Sequence, residues 1–224
     1  MPRKKVTPKP SLPVWFWAFG IVVIIFGVWL SWPHGSSSIS DTTLLSNTSS
    51  DTSPEGVFTD YFDAGWRSGD TNAKILVEAS YFFPELASAL EALPTKSGHQ
   101  GEVADRLAIL KPNTDTIVFY LTLASSDDEL SEFDPEEIVS LSDDEGNVYP
   151  VQQWSEANSV LLPASEVNQR IGLVAFARTS EEGLDIDKVN PKTLQLTIAI
   201  PGQSEQTLTW DLGLLDTFLQ SYER

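Results

Sequence analysis

KTLQLTIAIPGQSEQTLTW, Lys192–Trp210, is the stretch that decides the fold class. Leu194, Leu196, Ile198 and Ile200 alternate with Thr193, Gln195 and Thr197, the period-two pattern of a strand with one buried face. Pro201-Gly202 then marks a turn, because Pro presets φ and Gly accepts positive φ. The chain returns with Gln206, Leu208 and Trp210 on one side and Thr207 and Thr209 on the other. A hairpin with one apolar face needs a second apolar face to cover it, so the pattern predicts packed antiparallel sheets.

Working outward, the same alternation recurs. In Thr116–Leu123, Ile117, Phe119, Leu121 and Leu123 share a face, while Thr116, Tyr120 and Thr122 lie opposite. Glu137–Ser142 and Asn147–Val151 flank Asp143-Asp144-Glu145-Gly146, which reads as a second hairpin. Ala73–Tyr81 and Arg170–Arg178 add strands. Arg170–Arg178 is apolar on both faces, which predicts a central position. Helix is scarce in this reading. Pro84–Leu93 fits a short one with Pro in the first turn. Leu215, Phe218, Leu219 and Tyr222 have the i, i+3, i+4, i+7 spacing of a short amphipathic one. Thr95–Gly101 reads as an exposed loop. The expectation is a mainly β, immunoglobulin-like antiparallel β-sandwich with one or two short helices, over residues 57–224; a closed barrel is the alternative.

Upstream of that domain the composition changes twice. Residues 12–32 form a run of 21 without a charge, which as a helix spans roughly 31 Å, a bilayer's hydrocarbon thickness. Trp15 and Trp17 mark one end and Trp29 and Trp32 the other, as indole rings do at membrane interfaces. Arg3, Lys4, Lys5 and Lys9 lie in the basic tail, residues 1–11, and the next basic residue is Arg67. The positive-inside rule then predicts a single-pass transmembrane helix, a cytoplasmic N-terminus and an extracytoplasmic domain at the cell membrane. A cleaved signal peptide with a cut near Ser36–Ser38 is the competing reading. Residues 33–56 hold 12 Ser/Thr among 24 and few apolar side chains, which predicts a flexible linker. Asn47-Thr48-Ser49 within it matches the N-glycosylation triplet.

Charge and residue usage exclude several functions. The chain has 224 residues, no cysteine, two histidines and a net charge of −18. Cysteine-ligated metal, thiol catalysis and disulfides are therefore absent. Beyond Trp32 it carries 10 basic and 32 acidic residues, a charge of −22. Such a surface repels nucleic acid and anionic lipid, so a basic or neutral envelope protein is the expected partner. No G-x-S-x-G, H-E-x-x-H or phosphate-loop motif occurs, and His99 is the one histidine outside the linker. No catalytic residue is assigned, and an unrecognised hydrolase stays as an alternative.

Asp127–Glu145 holds 10 acids among 19 residues. Calcium takes six to eight oxygen ligands, so Asp127, Asp128, Glu129 and Asp134 are the candidate calcium site. A strand separates them from Asp143–Glu145, which keeps the two acidic groups at opposite ends. The competing reading is a solvated acidic edge that keeps the domain soluble.

Val118–Asp134 (VFYLTLASSDDELSEFD), Val139–Trp154 (VSLSDDEGNVYPVQQW) and Leu194–Trp210 together resemble bacterial membrane- or lipid-anchored extracytoplasmic immunoglobulin-like proteins of unknown function. The pattern in that group runs Thr-His-Ser-x-Asp-Leu, an aromatic–Asp pair, a Gly hairpin and Trp, then Gly-His-His. Here Phe133-Asp134 keeps the aromatic–Asp pair. Ser126 stands where the first histidine would be, Glu129 replaces the aspartate, and no histidine lies between Trp154 and Ile171. The resemblance therefore implies the fold and the anchoring, and removes imidazole-based copper or zinc binding.

Overall fold

The computed structural model describes residues 52–70, 73–96, 98–112, 114–125, 130, 133–156 and 168–222. The expected span 12–32, with Trp15, Trp17, Trp29 and Trp32, lies outside the described residues. Among those described, no helix is long and apolar enough to cross a membrane.

The chain order is α1 (Pro54–Gly65), β1 (Trp66–Ser68), β2 (Ile75–Tyr81), α2 (Pro84–Ala92), α3 (Gly98–Leu110), β3 (Thr116–Ser125), α4 (Pro135–Ile138), β4 (Val139–Asp143), β5 (Val148–Tyr149), β6 (Val151–Glu156), β7 (Asn168–Ala177), α5 (Ile186–Val189), β8 (Thr193–Ile198), β9 (Gln206–Asp211) and α6 (Leu212–Tyr222). Two open antiparallel sheets result, β1-β2-β3-β7-β6 and β5-β4-β8-β9. The barrel alternative is not adopted.

The alternation seen in the sequence sets both inner faces. Val77, Leu123, Leu121 and Phe119 line the first sheet, matched by Leu141, Leu194, Leu196, Leu208 and Trp210 on the second, all buried. Phe119 bridges the two, 4.8 Å from the Trp210 ring and 5.2 Å from the Tyr81 ring. Burying each such side chain contributes about 1.5–3 kcal/mol. The Trp210 indole N–H also donates to the Gly65 carbonyl, so its polar handle is satisfied. β7, apolar on both faces from Ile171 onward, lies between β3 and β6.

That second apolar face has a cover. Val118, Leu173 and Ala175 point outward from the first sheet and are fully buried. Leu86 and Leu90 of α2 and Val103, Leu107 and Leu110 of α3 supply the buried apolar stripe that packs with them. α3 is pinned by Arg106, which donates to Ser155 Oγ on β6, and by the Leu110 carbonyl, which accepts from Thr116 Oγ1 at 2.7 Å. The molecule is therefore a helix layer on two packed sheets.

Four expectations are corrected. Helix is not scarce. The expected loop Thr95–Gly101 instead leads into α3, whose Val103, Leu107 and Leu110 fall at i, i+4 and i+7. Pro54, within the range read as linker, opens α1, and Ser53 Oγ caps that helix by accepting from Gly56 N at 3.1 Å. The strand expected at Glu137–Ser142 begins at Val139, because Pro135–Ile138 forms a helical turn. The strand expected at Asn147–Val151 divides into β5 and β6 around Pro150, which carries no N–H for a ladder.

Candidate functional site

Of the four expected calcium ligands, Asp127, Asp128 and Glu129 lie outside the described residues. Asp134 stands at the start of a helical turn. Its carboxylate accepts from Glu136 N at 3.0 Å and caps α4, with Pro135 in the first helical position. Among the described residues no three His, Cys, Asp or Glu side chains are grouped to hold a metal ion.

The second acidic group, Asp143–Glu145, is built into the fold. Asp143 is 3% exposed. Its Oδ1 accepts from Glu145 N at 3.0 Å and Asn147 N at 2.9 Å, and its Oδ2 from Asn147 Nδ2 and Tyr149 Oη, both at 2.8 Å. Burial pushes this carboxyl up, but the hydrogen bonds from Asn147, Tyr149 and Glu145 outweigh it and hold it below the usual range. Gly146 completes the turn at φ 84°, a left-handed conformation that favours glycine. Asp144 Oδ1 accepts from Lys192 N at 2.8 Å and Thr193 N at 3.2 Å, which lowers its pKa and ties this turn to the start of β8. The solvated acidic edge is thus, at Asp143 and Asp144, a pair of turn locks.

At the opposite end of the sandwich, β3 finishes at Ser125 beside the start of β7. Arg170 on β7 makes two hydrogen bonds to Glu156 of β6, at 3.2 and 3.1 Å, and donates to the Phe133 carbonyl. Glu136 Oε1 accepts from Trp154 N at 2.7 Å. The segment entering β4 is therefore fastened to β6 and β7 from Phe133 to Glu136. The Trp154 ring lies on Gly172, where a Cβ would come within 2.6 Å of it. Only glycine admits the ring there.

α1 packs at the other end. The Tyr61 ring is 5.8 Å from Phe83, 6.0 Å from Phe218 and 5.1 Å from Tyr222, and the Tyr222 hydroxyl donates to Asp60. The chain thus enters the domain beside its last helix. Trp66 is half-buried at the start of β1. Arg67, lowered in pKa by burial and partly restored by Asp211, donates to the carbonyls of Ala64, Trp66 and Thr209. Its bond to Thr209 ties the start of β1 to β9. His99 falls within α3 rather than a loop. The Tyr81 hydroxyl is pushed up to about 12 by burial, so it stays protonated at neutral pH.

The polar clusters thus serve caps, turns and strand ends. Comparison with protein-family models, with curated proteins and with solved structures finds no match for this chain.

Proposed function

We propose that this chain is a single-pass protein of the cell envelope, cytoplasmic at its N-terminus, with an extracytoplasmic immunoglobulin-like module that binds a protein or has a structural role there. The observation that carries it is the uncharged 21-residue run, with four basic residues before it and none after it until Arg67. The strand order supports the architecture. β2-β3-β7-β6 facing β5-β4-β8-β9 reproduces the A-B-E-D and C′-C-F-G sheets of immunoglobulin-like sandwiches, with β1 and the α2–α3 layer added. The charge of −22 beyond Trp32 favours a basic or neutral partner.

The test is protease accessibility. The full chain, tagged at both termini, is expressed in a cell with one membrane stripped to spheroplasts. External protease is expected to destroy the C-terminal tag and spare the N-terminal one. Release of the chain by alkaline carbonate, or loss of the first 36–38 residues in the mature chain, overturns the anchor.

A further inference from the structure

The four strands that end the two sheets differ in how their outer edges are finished. β1 and β9 stand at one side, and side chains join them. Arg67 Nε donates to the Thr209 carbonyl at 3.2 Å, and Gln206 Oε1 of β9 accepts from Asp70 N, just beyond β1, at 3.1 Å. At the other side β5 is only two residues long, and its Val148 carbonyl accepts from Glu181 N at 2.9 Å. Among the described residues, β6 is the long edge that remains, six residues reading VQQWSE with Gln152 and Gln153 exposed. From Asn147 to Ser155 the chain carries no charge, and Glu156 is paired with Arg170. This edge therefore lacks the free charged side chains that commonly keep sheet edges apart.

An antiparallel strand turns the N–H and C=O of alternate residues away from its partner. On β6 the Trp154 N–H faces away from β7, and Glu136 Oε1 accepts from it at 2.7 Å, a ladder distance. The turn that carries Glu136 is fixed beside β6 by contacts independent of its carboxylate. Pro135 and Ile138 on either side are buried, while Glu136 is exposed. The Glu136 N–H donates to the Asp134 carboxylate at 3.0 Å, and Arg170 donates to the Phe133 carbonyl just before it.

We infer that Glu136 is an edge guard. Its carboxylate takes the place of the carbonyl that an incoming strand would offer to Trp154 N, and so keeps β6 from pairing with β6 of a second copy. Two antiparallel copies of β6 centred on Trp154 set Gln153 against Ser155 and join the two first sheets across a two-fold axis. To pair, each copy must first give up a hydrogen bond to a charged group. A tenfold change in association is about 1.4 kcal/mol, close to the least that such a bond contributes. The guard does not depend on the anchored reading above.

The experiment uses the absence of native cysteine. Gln153→Cys is made in the full chain, with Asp105→Cys on the exposed side of α3 as the control position. The purified chain in mild detergent is treated with a short bismaleimide. Adding Glu136→Ala is expected to raise the covalent dimer at the β6 position at least tenfold and to leave the α3 position unchanged. Glu136→Gln keeps an oxygen that accepts from Trp154 N, so its yield is expected to match the parent's. Glu137→Ala removes the same charge one residue away and is expected to change nothing. Unfolding midpoints are expected to stay within a few degrees throughout. No rise with Glu136→Ala, an equal rise with Glu137→Ala, or an equal rise at the α3 position overturns the proposal. So does a Glu136→Ala chain that fails to fold, since Glu136 would then be a structural lock rather than a guard.

Discussion

Compared side by side, the two sheets are stabilised differently. The first is buried on both faces. Its inner residues meet the second sheet and its outer residues Val118, Leu173 and Ala175 meet α2 and α3. The second is buried on one face and bare on the other, and it is fastened at its ends by polar side chains on backbone groups, Asp143 and Asp144 foremost. The lesson is that area secures one sheet, and area plus turn chemistry the other. Substitutions separate the two contributions.

The largest effect belongs to the layer both sheets share. Trp210→Ala removes a fully buried ring that packs on Phe119 and leaves the Gly65 carbonyl without its donor. The expected cost is about 3–5 kcal/mol, read as a shift in urea midpoint, and the domain is expected to be only marginally folded. Outward positions come next, and here the sheets part company. Leu173→Ala, beneath the helix layer, is expected to cost about 2–4 kcal/mol. Thr197→Ala, at the matching outward place on the bare sheet, is expected to change stability by about 0.5 kcal/mol or less. Similar costs at Leu173 and Thr197 would break the comparison, since they would mean that the bare face is covered or that the helix layer contributes nothing.

A polar lock is expected to cost less and to depend on pH. Asp143→Asn keeps the shape but cannot accept from both the Asn147 amide and the Tyr149 hydroxyl as Oδ2 does. At pH 7 the expected loss is about 1–3 kcal/mol. The carboxyl is held below its ordinary value in the folded state, so its contribution is fully present above the unfolded value of about 3.9. It is lost as pH falls through the folded value. The gap in midpoint between parent and variant should therefore narrow from pH 5 downward. A gap that widens in acid would show that the lock works through the neutral form.

The strands that were legible in the sequence are those whose environment is uniform along their length. β8 and β9 alternate because one face is core and the other solvent, and β7 is apolar from Ile171 onward because both faces are covered there. The cover itself was readable only in part. PELASAL shows Pro at the first helical position, but the same punctuation in Ser53-Pro54-Glu55 and Asp134-Pro135-Glu136 was masked by its setting, a Ser/Thr-rich stretch in one case and an acidic run in the other. α3 was missed because Gly98 and Gly101 signal a loop locally, while its apolar stripe begins only at Val103. Side-chain caps and turn locks depend on where a carboxylate points, which composition does not record. An acidic run therefore reads as a ligand set or a solvated edge, and the commitment of Asp134 and Asp143 to backbone N–H groups is not visible in it.

That commitment gives the smallest effect and the clearest separation of two roles. Asp134 begins the short helix that delivers the chain to the bare sheet, and its cap on Glu136 N is a lock of the same kind as Asp143, more exposed. Asp134→Ala is expected to cost about 1 kcal/mol, the usual worth of such a cap. A cap needs no ion, so the same loss is expected in EDTA and in millimolar calcium. A calcium ligand behaves otherwise. An ion at 100 times its dissociation constant stabilises the parent by about 2.7 kcal/mol, and removing a ligand would forfeit part of that in calcium alone. Thermal unfolding of parent and variant in both solutions therefore measures four midpoints whose differences add if Asp134 is a cap. They fail to add if it joins Asp127, Asp128 and Glu129 around an ion, and in that case the end of the molecule that faces away from α1 is secured by metal rather than by hydrogen bonds.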